Sequence, residues 1–362
     1  MSSPNQAVEL SQTRQSYQNP VGLTEPNYNP NQWWAASTQA DLGSDPIGTW
    51  ILDTPIVLYR AADGTPAALD NRCPHRWAPL SAGYVSGANI VCGYHGFEFG
   101  PDGRCARIPT QETIPGVVRV RSYPVMEQAP FVWIWMGDPA LAEDAPLPPR
   151  MDWAVDPTRV TANGKLEVGC NYMALKENVL DLSHFGFVHA KTLGVLDWTN
   201  PPETIVENDS VTYSQKFPLQ PLPALYGVPT GIGCEKPVYR HGWGTSASGA
   251  VHLSGLDIDD PEPGPDGRKD YTIRVCHVTT PISPSRCHYW WFFSQDYGHG
   301  ENAAETMKEK IEAAFDEDKA ILEACENLVQ NDIRGPNYVC ASIACDRPGV
   351  QARRMVYDAI RS

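Results

Sequence analysis

Residues 73–77 read Cys73-Pro74-His75-Arg76-Trp77, and residues 92–96 read Cys92-Gly93-Tyr94-His95-Gly96, with sixteen residues between His75 and Cys92. Each short stretch offers one thiolate and one imidazole, close together in the chain. Two Cys and two His can close a tetrahedral zinc site. They can also hold a 2Fe–2S cluster, with both thiolates on one iron and both imidazoles on the other. Zinc fingers group like ligands, Cys with Cys and His with His, whereas here each loop carries one of each. The mixed order Cys-x-His and Cys-x2-His is what two loops reaching over a two-iron cluster require. Gly93 and Gly96 allow a tight second loop, and Pro74 stiffens the first.

The rest of the composition is that of a globular enzyme. The chain has 362 residues, enough for about two domains. Its 33 Pro argue for many loops and strand ends. A net charge of −15 weighs against nucleic acid and anionic membrane surfaces as partners. No apolar run is long enough to span a bilayer, and the polar first thirty residues lack the apolar core of a secretory signal. The ten Cys are two in the ligand loops and eight scattered singly, a pattern of reduced thiols in a cytoplasmic protein. Cys105, near the loops, reads as an ordinary half-buried thiol.

Residues 1–30 are rich in Gln, Asn, Ser and Pro and read as a loosely held arm. Residues 31–150 then form a small all-β domain. Short apolar runs at 48–52, 56–60, 67–70, 97–99, 117–120 and 131–135 alternate with Asp, Gly and Pro turns, and Ala62-Asp63-Gly64 is a hairpin signal. The Pro-rich residues 139–149 read as a linker into a second domain, 151–362.

That second domain carries its own ligand pattern. Asn178, Asp181, His184 and His189 fall in one stretch, with residues 173–184 at helical spacing. Asp181 and His184, three apart, are expected on one helix face. His189 lies about 140° further round an ideal helix, so both His meet one ion only if the helix breaks between them, and Gly186 stands where that break is needed. Two imidazoles and a carboxylate make the facial triad of mononuclear non-haem iron. The carboxylate is sought in the amphipathic helix over 303–330, whose stripe runs through Ile311, Phe315, Ile321, Leu322, Cys325 and Val329. Asp318 falls within about 60° of Phe315, Leu322 and Val329, whereas Asp316 and Glu317 point away. A carboxylate in a core stripe must be paired or metal-bound, which makes Asp318 the third ligand. Asp181 is placed to accept a hydrogen bond from His184 and to bridge electrons from the cluster.

These motifs resemble the oxygenase component of Rieske non-haem iron oxygenases, over about residues 31–362. Cys73-Pro74-His75-Arg76, Cys92-Gly93-Tyr94-His95-Gly96-Phe97, Asn178-x2-Asp181-x2-His184-x4-His189 and Glu317-Asp318-Lys319 carry the likeness. It is closest to the single-subunit branch that includes vanillate and dicamba demethylases. The resemblance implies an α+β chain: an all-β Rieske domain, then a helix-grip domain in which a curved antiparallel sheet wraps a long helix. It implies a 2Fe–2S cluster on Cys73, His75, Cys92 and His95, and mononuclear Fe(II) on His184, His189 and Asp318 with Asn178 nearby. It also implies a homotrimer in which Asp181 links one subunit's cluster to its neighbour's iron. Strand-like segments at 211–216, 247–253, 271–279 and 287–294, with a hairpin loop at 257–270, agree with a sheet.

The implied activity is O2-dependent hydroxylation or O/N-demethylation of a small, acidic aromatic substrate, with electrons from NADH. No nicotinamide or flavin fingerprint appears, so the reductase or ferredoxin is expected to be a separate protein. A lid over residues 218–237 and His252 and His277 are expected at the pocket, and the resemblance gives the His277 position a role in holding an acidic group. Glu309 stands where the dicamba branch places a carboxylate-gripping Trp. A ring cis-dihydroxylase remains an alternative, as does a Rieske electron carrier, which would need no second iron.

Overall fold

The computed structural model describes residues 28–193, 201–207, 210–247, 249–264, 267–334 and 341–361. Of the expected arm, residues 28–30 are described and tied down: the Tyr28 hydroxyl donates to Asp53, and Trp34 Nε1 donates to Asn29 O at 3.0 Å.

The first half is built of short strands: β1 (Trp33–Thr38), β2 (Ile47–Ile51), β3 (Thr54–Arg60), β4 (Pro66–Asp70), β5 (Tyr84–Ser86), β6 (Asn89–Val91), β7 (Glu98–Phe99), β8 (Cys105–Arg107), β9 (Ser122–Tyr123), β10 (Val125–Gln128) and β11 (Phe131–Trp135). They pair antiparallel in three small sheets, β1-β11-β10, β2-β3-β4-β9 and β5-β6-β7-β8. The hairpin at residues 62–64 joins β3 to β4, with Gly64 at φ 87°. Residues 117–120 are not a strand as expected. After a turn at 115–118 they make an isolated bridge, Arg119 to Arg104, with Val120 N donating to Gly103 O at 2.9 Å. The expected linker is docked rather than free: Gln128 Nε2 donates to Pro148 O (2.7 Å) and Pro149 O (3.3 Å), and Ala142 is buried.

The second half holds one seven-stranded antiparallel sheet in the order β12-β18-β17-β16-β15-β14-β13. The strands are β12 (Val160–Val168), β13 (Glu203–Glu207), β14 (Ser210–Pro221), β15 (Pro237–Ala247), β16 (Val251–Asp259), β17 (Asp270–Ser283) and β18 (Arg286–Gln295). The run expected at 247–253 holds the last residue of β15 and the start of β16, with residue 248 outside the described residues; of the expected hairpin loop, residues 257–259 belong to β16 and residue 270 to β17, and residues 265–266 lie outside the described residues. Among the described residues four α-helices complete it: α1 (Tyr172–Leu180), α2 (Ala224–Thr230), α3 (Ala303–Asn331) and α4 (Arg347–Arg361). The long helix α3 lies against the sheet, where the Phe315 ring meets the edges of His277, Tyr289 and Trp291 at centroid distances of 5.9, 5.3 and 5.4 Å. The fold class is α+β, as expected.

The α3 stripe is rotated from the one drawn on sequence. Met307, Ile311, Ala314, Asp318, Leu322 and Glu326 are buried, while Ile321 and Cys325 are exposed. Part of the reason is polar. Glu326 Oε2 accepts from Asn171 N (3.0 Å) and Glu323 Oε1 from Gly169 N (2.8 Å), so two carboxylates of α3 satisfy backbone donors at the β12–α1 junction. Asn171 in turn caps α1, accepting from Met173 N at 2.9 Å. The Arg353 guanidinium clamps the Glu177 carboxylate, joining α4 to α1.

The two halves share one aromatic core. Phe131 meets Trp133, Trp290 and Phe292 edge-on, and Thr280 Oγ1 donates to Ala35 O at 2.7 Å across the junction.

Candidate active site: two metal centres and a cavity

The two Cys/His loops fold alike, donor for donor. In the first, Cys73 O accepts from Trp77 N (2.9 Å) and Cys73 N donates to Ala78 O (2.9 Å). In the second, Cys92 O accepts from Gly96 N (3.0 Å) and Cys92 N donates to Phe97 O (2.8 Å). The residue four beyond each Cys is left-handed, Trp77 at φ 63° and Gly96 at φ 69°. Glycine takes that conformation without strain and tryptophan does not. Both thiols are buried and adjacent: burial, then the Cys92 thiol, pushes Cys73 up to about 11. Both imidazoles lie together at the surface, ring centroids 4.5 Å apart, between the exposed Trp77 and Tyr94. Paired thiols inside and paired imidazoles outside suit a 2Fe–2S cluster with one iron facing each pair. Among the described residues no cysteine is in a disulfide; Cys340 lies outside them.

The second centre is assembled from α1, the chain after it, and α3. The helix expected over 173–184 stops early. Asp181 is its extended C-cap, and a separate 3-10 turn runs over Leu182–Gly186, so Asp181 and His184 do not share a helix face. The break lets the chain turn His184 and His189 toward one point. Their Nε2 atoms are 3.2 Å apart, and the Asp318 oxygens stand 3.4 Å from His184 Nε2 and 3.2 Å from His189 Nε2. All three ligand atoms lie within 4.8 Å of one another, the one such group among the described residues.

The outer nitrogens fix which atoms face inward. His184 Nδ1 donates to Asp181 O at 2.5 Å, and His189 Nδ1 to Glu317 Oε2 at 3.0 Å. Each Nδ1 being committed to an acceptor, each Nε2 is the nitrogen left to face the centre: it donates to Asp318 when protonated and would offer its lone pair to a metal when not. It is the Asp181 backbone carbonyl, not its carboxylate, that orients His184; the carboxylate accepts from Ser183 N at 2.9 Å. Glu317, expected to point away, reaches back to His189 and also accepts from Thr192 Oγ1 at 2.7 Å. Sequence periodicity missed it because a long side chain one step round from Asp318 spans the helix flank. Asn178 Nδ2 donates to Asp318 Oδ1 at 3.0 Å, so its place is beside the third ligand. Burial alone would raise the Asp318 carboxyl, but hydrogen bonds from His184 and His189 outweigh it and hold the group well below the usual carboxylate range. Burial would lower His189, yet the Asp318 and Glu317 carboxylates raise it. Two imidazoles and one carboxylate with their ligand atoms this close suit a mononuclear Fe(II).

His184, His189 and Asp318 line one end of a pocket whose empty space, open solvent included, is about 830 Å³. Its wall is largely apolar, including Leu256, Ile273, Val275, Phe293, Ile311 and Phe315. His277 belongs to the lining; His252 does not, being fully buried beside the Tyr213 ring at a centroid distance of 5.8 Å. Of the expected lid, Tyr226 on α2 lines the cavity. Glu309 is exposed on α3 and takes no part in it.

Comparison with known proteins agrees with this geometry. Residues 32–124 match the model of the Rieske [2Fe-2S] domain, and residues 168–362 match that of the vanillate O-demethylase oxygenase C-terminal domain. The chain belongs to this family of Rieske oxygenase components. It is 32% identical to the oxygenase component of dicamba O-demethylase from Stenotrophomonas maltophilia, over 90% of this chain and 96% of that one. It is 31% identical to a vanillate O-demethylase oxygenase subunit from a Pseudomonas strain, over 90% and 93%. The crystal structure of dicamba monooxygenase bound to dicamba superposes with a TM-score of 0.82 at 30% identity, covering 92% of this chain and 97% of that one. The protein is thus an oxidoreductase, a Rieske-type monooxygenase component with a 2Fe–2S cluster and a mononuclear iron. Its redox partner is a separate reductase or ferredoxin.

Proposed function

We propose that this oxygenase component hydroxylates or O/N-demethylates a small aromatic substrate held in the cavity beside His184, His189 and Asp318. Residues 31–150 serve as the cluster domain and 151–362 as the catalytic domain. Cys73, Cys92, His75 and His95 hold the cluster, and His184, His189 and Asp318 hold the iron. The bound iron supplies reductive activation of dioxygen with electrons delivered by the cluster.

The chain's own groups do the rest. Asp181 O and Glu317 keep both Nδ1 protons in place, and Asn178 fixes the Asp318 oxygen it bonds. The largely apolar wall, Phe293 and Phe315 included, would exclude bulk water and pack against an aromatic ring. The observation that carries this reading is the convergence of three inward lone pairs at the floor of an apolar cavity.

We extend the proposal to a homotrimer, which two exposed surfaces support. The His75–His95 tip is exposed between Trp77 and Tyr94, and Asp181 lines a separate surface groove with Glu177, His184 and Cys325. A neighbouring copy's tip docking in that groove would bring its cluster to Asp181, which passes electrons onward through His184. No helix among the described residues is long and apolar enough to cross a membrane, and we place the enzyme in the cytoplasm.

The test is product analysis with the reconstituted holoenzyme and a reductase. Formaldehyde or a hydroxylated product from a methoxy- or methyl-arene supports the proposal. A cis-diol would make it a dihydroxylase, and two irons per chain instead of three would remove the mononuclear centre. Sedimentation of the holoenzyme at any mass but three chains would remove the trimer.

A further inference from the structure

Three aromatic rings meet at the mononuclear centre, and two of them belong to its ligands. His184, Phe185 and His189 form a closed set, with centroids 5.1 Å apart for His184–Phe185, 5.2 Å for Phe185–His189 and 5.0 Å for His184–His189. The interplanar angles are 72°, 82° and 68°, so every pair is edge-to-face. Rings prefer that arrangement at such separations, because a ring's edge is positive and its face negative. Phe185 also lines the cavity, as do both histidines and Asp318. It is therefore at the iron end of the pocket.

The Nδ1 hydrogen bonds leave one freedom open. Each ties a single atom, to Asp181 O or to Glu317 Oε2, and so chooses the nitrogen that faces the centre. Neither sets the tilt of the ring. The last torsion of a histidine is broad, unlike the staggered torsions nearer the backbone, so tilt is decided by what packs on the ring. Phe185 packs on both. It stands between the two ligands in the chain, on the 3-10 turn Leu182–Gly186 that follows α1. Gly186, expected to permit the break, is not what shapes this turn: a Cβ there would meet nothing within 4 Å, and its φ lies outside the left-handed region. The residue of the turn that touches both ligands is the phenylalanine before it.

We propose that Phe185 is a positioning residue, a wedge whose ring holds the tilt of both ligand imidazoles so that their Nε2 atoms stay aimed at one iron. This rests on the oxygenase reading above in taking His184, His189 and Asp318 as the ligands of that iron. Rings held in place before the metal arrives have less motion to lose when it binds. Each edge-to-face contact is worth a factor of roughly 2–10 in an equilibrium constant.

The test uses the full chain with its cluster loaded and Fe(II) alone as the probe. Phe185→Leu keeps an apolar side chain but removes the ring, and it should weaken mononuclear Fe(II) binding about 3–30-fold in a chelator competition. The EPR signal of the Fe(II) site treated with nitric oxide should broaden, because unwedged imidazoles sample several tilts. Phe185→Tyr restores a ring and should return both readouts to the wild-type values. Gly186→Ala changes the same turn without a new contact and should move neither. Unchanged affinity and signal in Phe185→Leu overturn the proposal, since an apolar side chain without a ring would serve as well. An equal loss in Gly186→Ala overturns it too, by assigning the effect to the turn, and so does failure of Phe185→Tyr to recover. The cluster's visible spectrum reports whether each variant folds. If Phe185→Leu loses that spectrum, Phe185→Met, unbranched and adaptable, is held to the same outcomes. Wild-type protein that loads its cluster but binds no further iron sinks the oxygenase reading instead; every other outcome bears on Phe185 alone.

Discussion

The two metal centres are held in opposite ways. The cluster loops are local: each ligand pair sits within four residues, each loop closes on its own backbone hydrogen bonds, and the imidazoles face solvent. The triad is non-local. Its three ligands come from the broken end of α1 and the middle of α3, and every ligand is locked from behind by Asp181 O, Glu317 or Asn178. A local site should fail by losing its turn, a non-local one by losing its supports.

The largest effect expected from that difference is a clean separation of the two centres. Asp318→Ala should abolish turnover and mononuclear iron binding while the cluster's visible spectrum stays intact. Cys92→Ser should abolish the cluster spectrum and turnover while His184, His189 and Asp318 still bind one iron. Iron analysis beside optical spectra reads both. If Asp318→Ala also removed the cluster, the centres would not be independent.

Next in size is the support behind the triad. Glu317→Gln keeps the shape but weakens the acceptor that holds the His189 Nδ1 proton, and should lower mononuclear iron affinity ~10–100-fold. Excess Fe(II) should restore turnover. An unchanged iron affinity would make Glu317 a surface residue that happens to touch His189.

The same contrast explains what the sequence disclosed. The cluster loops were legible outright because ligand identity and spacing are the whole of a local site. His184, His189 and Asp318 were legible as residues, since a carboxylate in an apolar stripe is conspicuous. Their supports were not. Periodicity sent Glu317 away from the centre, and it drew α1 through Asp181 because nothing in residues 178–184 breaks a helix. The break is imposed by tertiary packing, with Asp181 capping the next turn by accepting from Ser183 N. The strand expected at 117–120 is cut short in a similar way: the turn at 115–118 leaves only Arg119 and Val120 to pair, with residues 103–104. The sheet strands were found but with the end of β15 and the start of β16 run together, and His252 and His277, opposite each other in the sheet, were indistinguishable until the structure put His277 in the cavity lining and His252 outside it.

A smaller effect tests the twin loops. Gly96 and Trp77 occupy equivalent left-handed positions, and only one of them is glycine. Gly96→Ala should destabilise the loop by about 1–2 kcal/mol, with its new Cβ 3.0 Å from Pro109 Cγ, and lower the temperature at which the cluster bleaches. Trp77→Gly should leave the cluster spectrum in place, since the backbone bonds do not need the indole. Equal bleaching by both would show that the Trp77 ring, stacked on Arg72 at 4.8 Å, holds the first loop in a way glycine cannot.

The smallest effect is a pH profile that should change sign with metal. In iron-free protein the triad is an ion cluster: Asp318 is held below its ordinary value and His189 above. A depressed carboxyl contributes stability above its unfolded value of about 3.9, and that contribution is lost as pH falls below it. A raised imidazole contributes below its unfolded value of about 6.5, and that contribution is lost as pH rises through the folded one. Iron-free protein should therefore gain most from these residues between about pH 4 and 6.5. Iron reverses the upper limb, because ligation needs both imidazoles neutral and its proton competition fades as pH climbs. Melting curves of the iron-free catalytic centre in otherwise intact protein, from pH 5 to 8, should slope down relative to Asp318→Asn, and those of the loaded protein should slope up. Parallel curves with and without iron would mean that the three side chains, though close, do not share protons with the metal site.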